Sequence, residues 1–109
     1  MNSELLSEFV YSIHNQFAGE IKTDSTTKKL YSTDASIYQI EPLGVMFPRN
    51  YDDMNAIVEN ASKFKIPILP RGSGSSLAGQ TVGAASVIDC SRHLNNIVNI
   101  NPEDRSAIV

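Results

Sequence analysis

The sequence predicts an α+β fold, α/β-like in its central part, with the layout of a nucleotide-binding unit. Between Leu43 and Cys90 it runs apolar strand, amphipathic helix, apolar strand, glycine-rich loop, strand. Three stretches carry that prediction. The first is LGVMFP, residues 43–48, a short apolar run closed by Pro48, as expected of a buried strand that ends in a turn. The second is the helix that follows. Asn50 can cap it, Asp53 stands three residues on in the position of a capping-box acid, and Asp52 lies near the positive end of the helix. Met54, Ile57, Val58, Ala61 and Phe64 then share one face. The third is IPILP, a second apolar strand, which opens into RGSGSSLAGQTVGAA and then SVIDC.

Elements outside this core are plainer. Leu5, Leu6, Phe9, Val10 and Ile13 fall at helical spacing and predict a helix over residues 3–15, with Ser3 as its cap and Glu4 in its first turn. Gly19 and KTDSTTKK break that pattern and read as a polar connector, and YSTDASIYQIEP as irregular chain with short extended pieces. NIVNI and RSAIV are two further strands joined by the turn NPED. The chain therefore divides into residues 1–30, helix and connector, and residues 31–109, the main unit. RSAIV reaches the last residue without a polar tail, which reads as an interrupted chain, with a naturally small protein as the alternative.

Composition narrows the function classes. A length of 109 residues suits one domain or part of one, and 41% hydrophobic with 19% charged residues suits a folded unit. The net charge of -3 carries no basic stripe, so nucleic acid is not an expected partner. Cys90 is the single cysteine, so no internal disulfide forms and a reducing, intracellular compartment is favoured. MNSELLSEFV lacks the positive start of a signal peptide, and no run of 18 apolar residues occurs. Asn60-Ala61-Ser62 falls inside a predicted helix and is not taken as a glycosylation site. Cys90, His93 and the distant His14 fall short of a zinc ligand set, and Cys90 is read as a small core residue rather than a nucleophile. Asp34 is read chiefly as a turn cap, with a place near a nucleotide as the alternative.

The chemistry lies in RGSGSSLAG, residues 71–79. Its three glycines and three serines allow positive φ, inward-turned N–H groups and close approach of a ligand diphosphate to the main chain, while Ser73, Ser75 and Ser76 add hydroxyl donors. A flexible serine-glycine surface loop fits the same letters. GSSLAGQT matches the phosphate pattern G-x-x-x-x-G-K-[ST] except that Gln80 replaces the lysine, and residues 72–77 lack the third glycine of G-x-G-x-x-G. Arg71 could face a phosphate, an acid or solvent.

Taken in order, YSTDASIYQIEPLGVMFP, the helix YDDMNAIVENASKFK, IPILPRGSGSSLAGQTVG and the strand pair NIVNINPEDRSAIV resemble the FAD-linked oxidoreductases with a PCMH-type, vanillyl-alcohol-oxidase-like FAD-binding domain. Within that group the D-lactate dehydrogenases and the glycolate oxidase flavin subunit are the nearest likeness. The resemblance implies the first subdomain of such a domain, short strands packed with one or two helices. It implies that the strand ending in Pro48 and the loop hold the ADP half of FAD. Gly72, Ser73, Gly74, Ser75 and Ser76 would contact the diphosphate, and Pro48, Pro70, Arg71, Leu77, Gly79 and Gln80 would line the site. Ser75 stands where some relatives carry a histidine that tethers the flavin, so the implied FAD is non-covalent. The implied whole protein oxidises a 2-hydroxy acid such as D-lactate or glycolate. Its electrons go to a quinone, an iron-sulfur partner or another acceptor, and it is cytoplasmic or peripheral to a membrane. No catalytic residue is expected in this stretch, because a second glycine-rich segment and a substrate cap follow in the relatives. Alone, the stretch is expected to hold FAD weakly and to self-associate through its last strands. The competing reading is a non-enzymatic nucleotide-binding or interaction module.

Overall fold

The computed structural model describes residues 3–109, and the side chain of Ser3, expected as a cap, lies outside that description. The first helix, α1, spans Ser3–His14 with Glu4 in its first turn. Phe9 and Ile13 are fully buried, and Leu6 and Val10 pack against the same core.

Two elements then occupy the stretch expected to be a connector. Strand β1 is Glu20–Lys22 and helix α2 is Ser25–Leu30. Asp24 starts α2, because its carboxylate accepts the Thr27 N–H at 2.9 Å and the Thr27 hydroxyl at 2.8 Å. Residues 31–42 are irregular, with one isolated bridge between Thr33 and Gln39.

Strand β2 is Gly44–Phe47, helix α3 Tyr51–Phe64, strand β3 Ile68–Arg71 and strand β4 Ser86–Asp89. The sheet order is β1-β2-β4-β3, with β2, β4 and β3 parallel and β1 antiparallel at one edge. Because α3 carries the chain past one strand position, β4 inserts between β2 and β3, and every residue of β2 and β4 is buried. Alternation along these two strands divides the core. Met46 and Ile88 face Phe9, Ile13, Ile57, Ala61 and Ile66. Val45, Phe47 and Val87 form the opposite layer, against which Tyr31 and Leu69 pack. Each of these large side chains, taken out of water, contributes about 1.5–3 kcal/mol.

Strand β3, expected as an apolar strand, forms an edge of the sheet, with Ile68 and Pro70 exposed. An edge has one unpaired side, which tolerates the N–H that proline lacks. Helix α3 keeps its expected cap, the Asn50 side chain accepting the Asp53 N–H at 2.8 Å, and ends at Lys65 in the left-handed region at φ 58°. Of its expected apolar face, Val58 is 48% exposed, outside the core. Asn99–Asn101, β5, and Ser106–Ile108, β6, form the antiparallel hairpin expected from NIVNI and RSAIV, with Ile97, Val98, Ile100 and Ile108 exposed. Among the described residues no helix is long and apolar enough to cross a membrane.

Candidate cofactor site

Three parallel strands point their carboxyl ends toward one side of the sheet, at Phe47, Arg71 and Asp89. Ligands of open α/β sheets bind outside such ends. The glycine-rich loop leaves β3 there. None of the N–H groups of residues 72–77 donates a hydrogen bond to another group among the described residues. Gly74 has φ +75° while Ser73 and Ser75 keep negative φ, and a nest that turns successive N–H groups to one side has such an alternation in sign. A side chain at Gly72 would meet nothing within 4 Å, so the main chain is open to a ligand at that point. No helix lies between β3 and β4, so the loop has neither the P-loop geometry nor that of the dinucleotide fingerprint.

The loop is supported by residues 31–40. The Ala35 N–H donates to the Gly74 carbonyl at 3.0 Å. Asp34 accepts the Ser36 N–H at 2.8 Å, the turn cap expected of it, and also the Thr81 hydroxyl at 2.9 Å. Its carboxyl is held down at about 2 by the Ser36 hydroxyl first and by Thr81, against an opposing effect of burial. A side chain on Gly79, at φ +79°, would strike the Tyr38 ring at 2.7 Å. Arg71 donates to the Tyr31 and Thr81 carbonyls, each at 3.3 Å, and lies 5.2 Å from the centre of the Tyr31 ring.

A second cluster ties Tyr31 to the end of β4. The Tyr31 hydroxyl donates to buried Asp89, whose other oxygen accepts the Ser91 N–H at 2.8 Å and the Ser91 hydroxyl at 2.6 Å. Burial and then Asp89 push the Tyr31 phenol up to about 12. Burial alone would raise Asp89, but the bonds from Ser91 and Tyr31 and the charge of Arg92 outweigh it and hold the carboxyl low. Neither Asp89 nor Tyr31 carries a motif in the sequence, since the two lie 58 residues apart.

The residues expected to form the site separate into groups. Gly72, Ser73, Gly74, Ser75 and Ser76 lie together in the open part of the loop, with the Ser73 and Ser75 hydroxyls 3.3 Å apart. Leu77 is 81% exposed, Pro70 is exposed on β3, and the exposed Gln80 accepts the Ala78 N–H at 3.2 Å. Pro48 follows β2 and is less than 2% exposed. Cys90 is half-buried, its thiol pushed up by burial and by Asp89, consistent with a packing residue. No cluster of three or more metal-ligating side chains occurs among the described residues.

Comparison with known proteins agrees with this geometry. Residues 42–109 match the family described as FAD binding domain. The D-2-hydroxyglutarate dehydrogenase of Pseudomonas putida is 38% identical over 102 residues, covering 90% of this chain and 10% of that protein. The glycolate oxidase subunit GlcD of Bacillus subtilis is 38% identical over 89 residues, covering 79% of this chain and 19% of that subunit. Among solved structures, alkyldihydroxyacetonephosphate synthase superposes with a TM-score of 0.76 at 19% identity, over 92% of this chain and 22% of that one. The 4-ethylphenol oxidase from Gulosibacter chungangensis gives 0.74 at 17% identity, over 94% of this chain and 21% of that one. These structures share the fold. The chain spans about a tenth of the length of the D-2-hydroxyglutarate dehydrogenases of Pseudomonas putida and Escherichia coli. With the match extending from the start of β2 to the last residue, the chain belongs to the FAD binding domain family.

Proposed function

We propose that this chain supplies the diphosphate grip for non-covalent FAD in a flavin-dependent oxidoreductase that acts on a 2-hydroxy acid. The observation that carries the reading is the run of unpaired N–H groups over residues 72–77 at the carboxyl edge of the parallel strands. Such a run fits the two charges of a diphosphate, and the open main chain at Gly72 lets the phosphate oxygens come close. Gly72, Ser73, Gly74, Ser75 and Ser76 make the contacts, with Pro70, Leu77, Gly79 and Gln80 around them. Ser75 has no nucleophilic nitrogen for a flavin tether, which supports a dissociable cofactor.

Bound FAD supplies the acceptor for the hydride equivalent removed from the substrate α-carbon and a route for its electrons to a further acceptor. The residues of this chain bind and orient. Acid-base groups and substrate contacts belong to other parts of the whole protein. The relatives named for D-2-hydroxyglutarate, D-lactate and glycolate support a 2-hydroxy acid as the substrate class.

The test uses the whole protein. Purified, it should absorb near about 450 nm, release intact FAD on denaturation, and lose that band anaerobically when the right 2-hydroxy acid is added. A colourless preparation that also fails to reconstitute with FAD would contradict the reading and favour a plain nucleotide-binding module.

A further inference from the structure

We infer that Arg71 is a positioning residue, which holds the cofactor loop in its binding form by bridging the Tyr31 and Thr81 carbonyls beneath Gly74 and does not itself contact phosphate. The inference rests on the FAD reading above.

Arg71 ends β3 at the point where the loop departs, and its guanidinium turns back under the loop. One carbonyl it holds, Thr81, belongs to the descending limb, and the other, Tyr31, to the start of the supporting segment. Both carbonyls accept from one nitrogen, Nη1, held in place by a rigid planar guanidinium whose Nη2 and Nε lie closest to Gly74, whereas a lysine ammonium is a point charge on a flexible stem. The fit above it is tight, because a methyl group on Gly74 would collide with the guanidinium. Among the described residues the ion pairs formed by basic side chains are Lys22–Glu20, Lys28–Glu41 and Arg92–Glu20, so Arg71 has no carboxylate partner there. Its Nη1 donates to main-chain oxygens, and its guanidinium carbon lies 5.2 Å from the centre of the Tyr31 ring. The Ala35 N–H to Gly74 carbonyl bond lies beside this bridge and depends on the same loop height. An arginine next to a glycine loop invites assignment as a phosphate ligand, and these contacts give its Nη1 a main-chain bridging role instead.

Arg71→Lys and Arg71→Met in the whole protein test the inference by two readouts: the FAD dissociation constant from flavin fluorescence, and hydrogen exchange of the Ala35 amide in the FAD-free protein. Both variants should weaken FAD by about tenfold or more, about 1.4 kcal/mol, and speed Ala35 exchange by a similar factor. Full FAD affinity in Arg71→Lys with loss only in Arg71→Met would overturn the inference, because charge alone would then suffice, as at a direct phosphate contact. Unchanged Ala35 exchange in both variants would also overturn it. If the wild-type protein takes up no FAD, the FAD reading fails, and the Ala35 amide still reports on the bridge. Should Arg71→Lys fail to fold, Arg71→Gln, which keeps an amide donor, serves with the same expected direction.

Discussion

Two regions of this chain hold closely spaced backbone N–H groups, and they differ in what receives them. At the amino end of α3, the N–H groups of Ala18, Gly19 and Arg49 converge on the Asp53 carboxylate at 2.8, 3.0 and 2.9 Å, and that carboxylate is 1% exposed. In the glycine-rich loop the N–H groups of residues 72–77 have no acceptor among the described residues. Closely spaced N–H donors favour negative charge. At Asp53 the chain provides the anion, and the result is a fold clasp that joins α1, β1 and α3. In the loop, on the reading proposed above, a ligand provides it. Glycine serves each region differently. At Gly19 a side chain would run into the Phe47 carbonyl, so the residue permits close packing, whereas at Gly72 a side chain would find open space.

The largest expected effect breaks the clasp. Asp53→Ala strands three backbone donors that now share a charged acceptor, and it should cost about 3–5 kcal/mol of stability, at roughly 1.5 kcal/mol or more per charge-assisted bond. Thermal unfolding checks this, and a cost under about 1 kcal/mol would mean that the clasp contributes little. Next comes the pair Gly19→Ala and Gly72→Ala. The first should cost about 1–3 kcal/mol by overpacking against β2, while the second should stay within about 0.5 kcal/mol. Equal stabilities for the two would remove the distinction drawn between them.

The smallest effect concerns pH. Asp34 titrates at about 2 in the folded chain against an ordinary 3.8, so its ionised form favours folding. That contribution is complete above the ordinary value, falls as pH drops and is lost below about 2. The difference in melting temperature between wild type and Asp34→Asn should therefore be steady at neutral pH and shrink between about pH 4 and about pH 2. A difference that grows on acidification would contradict the assignment.

Much of this was legible in the sequence because the signals were local. LGVMFP, the Asn50 cap and the spacing of Ile57 and Ala61 act within a few residues, and they gave β2 and α3 nearly to their ends. The grouping of residues 72–76 was legible for the same reason, since small residues after a strand have few other uses. Strand β1 and helix α2 were missed. Three residues at a sheet edge have no periodicity to read, and the cap D-S-T-T at Asp24 lay hidden in a polar run. Asp53 was assigned a local capping role, yet its carboxylate reaches residues 34 and 35 positions away as well as nearby Arg49.

The central claim, that the open N–H row of the loop receives the cofactor diphosphate, is tested most directly at Gly72, the loop position with room for a side chain. In the whole protein, Gly72→Asn and Gly72→Asp add nearly the same volume and differ by one charge. The account predicts that both weaken FAD, because each fills the space through which the diphosphate approaches the main chain, and that Gly72→Asp weakens it about tenfold or more beyond Gly72→Asn through like-charge repulsion. Folding should be intact in both by thermal unfolding. Wild-type FAD affinity in Gly72→Asp would place the diphosphate elsewhere and contradict the account.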